Sequence, residues 1–344
     1  MRNGPSALIG LGAALLAAAP SYGQEASPPV GSIPSIAVPV PAIADPAITD
    51  LQQAETLGLS TDHHTRMTVP VRIDGQGPFA FVVDTGAERT VISRELANSL
   101  DLAPGLTAIV HSMSEVSRIE TVVIPNLRVG SRSVAGIHAP ALSRANLGAS
   151  GMLGVDSLQT QRVVFDFGRQ EMTITPSRRR EERWPEGTIV VTGRRLLGRL
   201  VLVDASLDGQ RIWVVIDTGS QISVGNSALR SALQRRRRLG VMAPIRMVSV
   251  TGGEINAQYA IARRVRIGGV DINDLPVAFH DVHPFQQLGL SDRPALLLGM
   301  DALRLFKRVS VDFANHRVRV LLDDGALLGG EPRMAGAPAV RTAS

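Results

Sequence analysis

Two Asp-Thr-Gly sequences are the residues best suited to chemistry in this chain of 344 residues, and they begin at Asp84 and Asp217. Each follows an apolar, strand-like run. Two carboxyl groups held about 3 Å apart cannot both ionise at low cost, so such a pair shares one proton. The ionised member can act as general base on a water molecule while the protonated member polarises a carbonyl group. The two segments could form such a pair only if they meet face to face.

Each Asp-Thr-Gly belongs to a longer internal repeat, which is present in residues 69–93 and 202–226. Both copies contain an alternating strand, an Asp-Gly turn, a continuous apolar strand and then Asp-Thr-Gly. The turns at Asp74-Gly75 and Asp208-Gly209 predict β-hairpins. The repeat therefore predicts two homologous units, each dominated by strands.

The two copies also correspond downstream of Asp-Thr-Gly, where Leu-Gly recurs at Gly154 and Gly299. The second copy is longer, and the extra residues fall mostly around 280–292, which predicts an inserted loop there. Each copy is then predicted to close with a hairpin. Short helices are predicted at 93–100, 227–235 and 301–306.

These motifs resemble the retropepsin-like branch of the aspartic proteases, in the bacterial single-chain form in which two lobes are fused. The resemblance covers residues 65–323. Asp84-Thr85-Gly86-Ala87 is similar to the retroviral form of the motif, and Asp217-Thr218-Gly219-Ser220 to the form common in pepsins. The resemblance implies an all-β fold: two homologous β-barrel lobes related by a pseudo-twofold axis, with short helices. It also implies an aspartic endopeptidase that acts on peptide or protein substrates and needs no cofactor or metal.

The resemblance assigns roles to the remaining motif residues. Asp84 and Asp217 would be catalytic, and the two threonines would hydrogen-bond across the lobe interface. Gly86 and Gly219 would let backbone amides approach the carboxylates, since a Cβ would intrude. Gly154 and Gly299 would lie behind the active loops. The residues expected to support the active loops are therefore Thr85, Gly86, Ala87, Thr218, Gly219, Ser220, Gly154 and Gly299.

Two departures from the family pattern carry expectations of their own. The Ser220 hydroxyl could donate a hydrogen bond to Asp217, which Ala87 cannot do for Asp84, so we expect Asp217 to be the ionised partner. The flap, the hairpin that closes over substrate in this family, has a glycine-rich tip only in the second copy. Its tip residues, Thr251, Gly252 and Gly253, are the better candidates for a mobile lid. The corresponding segment 111–117 has no glycine, and neither tip has a tyrosine.

A second class of function stays open: a non-catalytic periplasmic peptide-binding or regulatory pseudo-protease would use the same cleft without cutting. Retention of both aspartates argues against it, because a binding groove has no need of two adjacent buried acids. An internal dyad also makes one chain sufficient, so we expect a monomer.

The N-terminus predicts export. Residues 1–23 carry Arg2, an apolar run from Ala7 to Ala19 and small residues near Gly23, which is typical of a signal peptide. An uncleaved N-terminal anchor is the alternative. No later segment has 18 continuous apolar residues, so we expect a periplasmic or extracellular protein that does not insert stably in a membrane after cleavage.

The rest of the chain divides by composition. A Pro/Ala-rich linker is predicted at 24–61, an N-terminal lobe at 62–177, an inter-lobe linker at 178–187, a C-terminal lobe at 188–324 and a flexible tail at 325–344.

Composition excludes several other chemistries. The chain has no cysteine, which removes disulfides, thiolate nucleophiles and cysteine-ligated metals. Its formal net charge of +5 is small, and the arginine runs at 178–180 and 235–238 are interpreted as solvated faces. Aromatic residues do not interleave with them, so we expect no nucleic-acid partner. His280 and His283 lack a third ligand at suitable spacing, so we expect no metal site.

Overall fold

The computed structural model of the protein describes residues 7–14, 55–58, 60–61, 66–130, 132–158, 161–177, 184–196, 199–202 and 204–322. These residues are mostly β-strand with a few short helices, and they form two barrel-like lobes, which confirms the all-β prediction. In the part of the chain that the structure describes, none of the helices has the length and apolar character needed to cross a membrane.

Thirteen of the strands precede the second repeat. They are β1 Ala7–Ala14, β2 Glu55–Gly58, β3 Ser60–Thr61, β4 Met67–Ile73, β5 Gln76–Val83, β6 Val91–Ser93, β7 Ala108–Met113, β8 Val116–Ile119, β9 Thr121–Val129, β10 Arg132–Leu142, β11 Gly151–Leu153, β12 Gln161–Asp166 and β13 Glu171–Pro176. This part also contains the helices α1 Arg94–Ser99 and α2 Arg144–Leu147, and a 3-10 turn at Val155–Ser157.

The second part repeats this order. Its strands are β14 Ile189–Leu196, β15 Arg199–Leu202, β16 Ala205–Leu207, β17 Gln210–Arg211, β18 Trp213–Ile216, β19 Ser223–Gly225, β20 Ala243–Val248, β21 Glu254–Ile267, β22 Val270–Phe279, β23 Ala295–Leu298, β24 Arg308–Asp312 and β25 Arg317–Leu321. Its helices are α3 Ser227–Arg235, α4 His283–Gln287 and α5 Met300–Leu303.

Both Asp-Gly turns form the predicted hairpins. Ile73 pairs with Gln76, and Leu207 pairs with Gln210 across the second turn. Asp74 and Asp208 have positive φ angles of 49° and 46°. The glycines that follow them, Gly75 and Gly209, also have positive φ angles, of 81° and 76°. That backbone matches the twist of antiparallel strands and suits Asp-Gly.

Strand pairing is the same in the two lobes. The strand that precedes Asp-Thr-Gly pairs in parallel with the strand that precedes the downstream glycine, as β5 with β11 and β18 with β23. Strand β4 pairs with both β5 and β9, which closes the N-terminal barrel. In the C-terminal lobe this strand is divided, so that β15 pairs with β18 and β16 with β21.

A shared sheet joins the lobes. The closing hairpins β12–β13 and β24–β25 lie side by side because β12 pairs antiparallel with β24, and β14 extends the sheet beyond β25. Arg308 and Asp166 form an ion pair of 2.7 Å across this junction. The lobes therefore share a continuous hydrogen-bonded frame, which fixes the orientation of the two active loops.

Three predicted segments differ in detail from the structure, while the domain bounds and the signal peptide themselves stay predictions. The segment 24–61 was predicted as linker throughout, but β2 pairs with β13 and β3 with β4, so its last residues belong to sheets. Within the predicted signal peptide, β1 pairs in parallel with β7. The predicted helix at 301–306 is shorter, and α2 and α4 were not predicted. The predicted tail 325–344, most of the predicted linker and residues 178–183 lie outside the described residues.

Candidate active site

The two Asp-Thr-Gly loops occupy equivalent places in the two lobes. The backbone N–H of Asp84 donates to the carbonyl of Leu153 at 3.0 Å, and that of Asp217 donates to Leu298 at 3.1 Å. Each bond continues the parallel ladder by one residue, so the sheet itself sets the position of each aspartate. Both aspartates are 0 % exposed.

Each carboxylate is held by its own loop. Oδ1 of Asp84 accepts the backbone N–H groups of Gly86 at 2.7 Å and Ala87 at 3.1 Å. Oδ1 of Asp217 accepts those of Gly219 at 3.0 Å and Ser220 at 3.1 Å. Two amide donors stabilise negative charge on each Oδ1 and leave Oδ2 to face other groups.

The hydrogen bond expected from the Ser220 hydroxyl to Asp217 is not formed. The Ser220 hydroxyl donates to the carbonyl of Ile222 at 2.8 Å and is therefore not directed at Asp217. Ser220 contributes only its backbone amide, as Ala87 does. Each loop thus offers its aspartate two backbone amides, and the ionisation of Asp217 rather than Asp84 stays a prediction.

The loops of the two lobes are in direct contact. A β-carbon placed on Gly219 would lie 2.3 Å from both Cγ and Oδ2 of Asp84. The carboxyl group of the N-terminal lobe therefore packs against the active loop of the C-terminal lobe, at a position that only glycine can occupy.

The two threonines lock the loops together by reciprocal hydrogen bonds. The Thr85 amide donates to Oγ1 of Thr218 at 3.0 Å, and the Thr218 amide donates to Oγ1 of Thr85 at 3.2 Å. The hydroxyls then reach the opposite lobe, where Thr85 donates to Ile216 at 3.1 Å and Thr218 to Val83 at 2.7 Å. These four hydrogen bonds fix the two active loops relative to each other, and the aspartates that the loops carry are fixed with them.

The downstream glycines lie behind the loops. A β-carbon on Gly154 would be 2.4 Å from the backbone carbon of Arg89, and one on Gly299 would be 2.6 Å from that of Ile222. Because backbone cannot move aside as a flexible side chain can, these glycines are needed for the close crossing.

A second pair of aspartates, which the sequence analysis did not include in the site, supports the loops from behind. Asp156 accepts the backbone N–H of Thr90 at 3.0 Å and its hydroxyl at 2.8 Å. Asp301 likewise accepts the amide of Ser223 at 2.9 Å and its hydroxyl at 2.7 Å. Burial raises the pKa of Asp156, and it raises the pKa of Asp301 to about 6. A sequence signal existed, since both follow the downstream glycine by two residues.

The flap tips of the two lobes meet. The predicted tip, Thr251 to Gly253, lies in the turn between β20 and β21, opposite the β7–β8 turn. The Ser114 hydroxyl donates to Oγ of Ser249 at 2.7 Å, and the Thr251 hydroxyl donates to Oγ of Ser112 at 3.0 Å. Both hairpins therefore take part in this contact between the lobes, including the one without glycine.

The insertion also reaches the flap. His283, in α4, stacks on His111 of β7 with ring centroids 4.3 Å apart. His280 accepts the backbone N–H of Asp281 on Nδ1 at 2.9 Å. The described residues contain no group of three or more His, Cys, Asp or Glu side chains able to hold a metal ion.

Two pseudo-equivalent β-lobes that each contribute one buried aspartate, on loops locked by paired threonines, define the class of bilobal aspartic proteases. Comparison with protein families agrees: a family model described as gag-polyprotein putative aspartyl protease matches residues 69–160, and one described as aspartyl protease matches residues 203–302. The chain belongs to the retropepsin-like aspartic proteases and carries both lobes. Comparison with curated proteins gives no match.

Proposed function

We propose that the protein is an aspartic endopeptidase in which Asp84 and Asp217 activate a water molecule for attack on a peptide carbonyl. The observation that carries the proposal is the contact between the lobes, where the Asp84 carboxyl packs against Gly219 of the loop that holds Asp217. Two carboxyl groups brought together in a buried site share a proton.

In the proposed reaction, the ionised carboxylate takes a proton from water while the protonated carboxyl donates to the carbonyl oxygen of the substrate. The tetrahedral intermediate then collapses, and the dyad returns a proton to the leaving amine. The threonine bonds hold both groups in place through these steps, so little reorganisation is needed.

We infer that substrate entry requires the flaps to part, because both aspartates are fully buried and the hairpin tips of the two lobes are joined. The hydroxyls of Ser112, Ser114, Ser249 and Thr251 form the tip contact, and each can exchange its partner for a peptide N–H or C=O group. We therefore propose that the tips separate to admit an extended peptide and then bond to its backbone.

The test is hydrolysis of a peptide library by the wild-type protein and by the Asp84→Asn and Asp217→Asn variants, with circular dichroism as a check on folding. Either substitution removes the shared proton, and we expect a loss of roughly a thousandfold or more in kcat. Equal cleavage by all three proteins would exclude the dyad mechanism. Binding of the same peptides without cleavage by the wild type would instead favour the pseudo-protease.

We also propose that residues 1–23 are a signal peptide that directs export and is then cleaved. The mature enzyme acts as a monomer in the periplasm or outside the cell. The apolar run from Ala7 to Ala19 supports export, and the presence of both aspartates in one chain supports a monomer. N-terminal sequencing of the secreted protein tests the first statement. Size-exclusion chromatography with light scattering tests the second.

A further inference from the structure

A cavity of about 730 Å³ lies on the surface of the C-terminal lobe. It forms where the β16–β17 hairpin, the end of α3 and the strands β21 and β22 meet. Five arginines line it: Arg237, Arg238, Arg263, Arg264 and Arg266. The arginine run 235–238, which the sequence pattern predicts to be a solvated face, contributes Arg237 and Arg238 to this cavity, together with the arginines of β21.

Some of these arginines already have partners. Arg266 makes two hydrogen bonds to Asp271, at 2.8 and 3.0 Å, and Arg238 donates to the carbonyl oxygen of Asp208. Across the described residues, no ion pair or hydrogen bond engages the guanidinium of Arg237 or Arg263. The guanidinium groups of Arg237 and Arg263 therefore line the cavity without a hydrogen-bond acceptor among the described residues.

The Asp208 carboxylate, which also lines the cavity, does not bond to the guanidinium groups of Arg237 and Arg263. Asp208 accepts the backbone N–H groups of Arg263 and Arg264, at 3.3 and 2.8 Å, so it braces β21 against the hairpin. The only other acid among the lining residues is Asp274. Asp271 pairs with Arg266 and lies 3.8 Å from Arg264, so five arginines against three aspartates leave an excess of two positive charges at this site.

Arg237 is held in an uncommon backbone conformation. Its φ is 53°, in the left-handed region just beyond the end of α3, where glycine is the usual residue. The turn itself would be easier with glycine or asparagine, so the turn does not account for an arginine there. The conformation turns the chain from α3 toward the cavity.

The lining also limits the class of ligand. None of the lining residues is aromatic, so the cavity offers no surface on which a nucleic-acid base could stack. Its volume suits a small molecule rather than a polymer. Guanidinium groups bind phosphate oxygens through two parallel hydrogen bonds, which gives both charge and geometric selectivity.

We propose that this cavity binds a small ligand that carries two or more phosphate groups, with Arg237 and Arg263 as the principal contacts. The site is separate from the dyad. Strand β21 leaves the flap at Glu254 and reaches Arg263 nine residues later, which is about 30 Å along an extended strand. The proposal is therefore independent of the proposed function.

The test is isothermal titration of the full chain with tripolyphosphate at an ionic strength of about 0.15 M, where charges more than about 8 Å away are largely screened. We expect saturable binding with one site, and an affinity lower by about tenfold or more in the Arg237→Gln/Arg263→Gln double variant. The matched control is Arg128→Gln/Arg169→Gln, which removes the same charge from exposed positions of the N-terminal lobe. Its affinity should remain within about twofold, since long-range attraction is screened.

Two outcomes would overturn the proposal: no saturable binding by the wild type, or an equal loss in the double variant and its control. Melting curves of all the proteins show whether a variant is unfolded. The single Arg263→Gln variant tests binding with only one of the two arginines removed. Sedimentation with phosphatidylglycerol vesicles, compared with phosphatidylcholine vesicles, distinguishes the source of the phosphate. Sedimentation that tripolyphosphate reverses indicates a lipid headgroup, whereas tripolyphosphate binding without sedimentation indicates a soluble ligand.

Discussion

The imidazole ring of His111, on the N-terminal flap, stacks on that of His283, on the insertion of the C-terminal lobe, with 4.3 Å between ring centroids and 15° between planes. Within the described residues neither ring nitrogen of His111 has a hydrogen-bond partner. Burial lowers the pKa of His111 below 6.5, and the Glu88 carboxylate opposes this in part. The stack therefore favours an uncharged His111, because two imidazolium rings at this distance would repel.

This stack predicts that acid loosens the flap. A histidine whose pKa is lowered in the folded state contributes stability that is present above pH 6.5 and is lost as pH falls through the folded pKa. We expect the protection factors for hydrogen exchange of the 108–119 segment, which correct for the slower intrinsic exchange in acid, to fall between pH 7 and pH 5. The His111→Phe variant keeps an aromatic contact without the charge, so its flap should not respond. An equal acid response in both proteins would contradict the prediction.

The threonine lock predicts a graded effect of side-chain chemistry. Thr218→Val removes the hydroxyl that donates to Val83 and accepts from Thr85, while the volume is nearly unchanged. Two buried hydrogen bonds are lost and their partners are left unsatisfied, so we expect about 2–4 kcal/mol less stability in urea denaturation. Thr218→Ser is the matched control because it keeps the hydroxyl, and it should cost about 1 kcal/mol or less. The same order is expected for kcat, and equal losses in the two variants would mean that the hydroxyl is not what matters.

The glycine behind the second loop predicts a steric effect. Gly299→Ala would place a β-carbon 2.6 Å from the backbone of Ile222, and relief requires movement of the active loop. We expect a loss of about 1–3 kcal/mol by thermal or urea denaturation, together with lower activity. Gly240→Ala is the control, since no atom lies within 4 Å of its added β-carbon. Comparable losses at the two positions would show that steric contact is not the cause.

The dyad and its lock could be predicted from sequence because they are local and occur twice. Asp84 and Asp217 each follow a buried strand, and the second copy shows that the first is not a chance turn. The hairpins at Asp74 and Asp208 were predictable for a similar reason, since Asp-Gly suits positive φ.

Features that depend on distant partners could not be predicted. Ser114 and Ser249 are 135 residues apart, and neither belongs to a motif that pairs hydroxyls across a cleft. The hydroxyl of Ser220 was assigned to Asp217 by its place in the motif, but the nearby carbonyl of Ile222 takes it. The strand β2 has no strong strand signal, and it forms because β13 offers a free edge.

The buried aspartates behind the active loops predict that the stability of the protein falls as pH rises from 4 to 7. The pKa of Asp301 rises from 3.8 to about 6 on folding because the carboxyl is buried, although Ser223 donates to it. A raised carboxyl pKa means that the folded state binds a proton more tightly than the unfolded chain does. This contribution is complete below pH 3.8 and is lost as pH rises through about 6.

We therefore expect the wild-type protein to lose up to about 3 kcal/mol from this group between pH 4 and pH 7. The Asp301→Asn variant has no proton to release, so its stability should fall less over the same range when measured by urea denaturation at fixed ionic strength. Asp292→Asn, at an exposed position of the insertion, is the control and should retain the wild-type dependence. Identical pH profiles for the wild type and Asp301→Asn would show that Asp301 titrates alike in the folded and unfolded states.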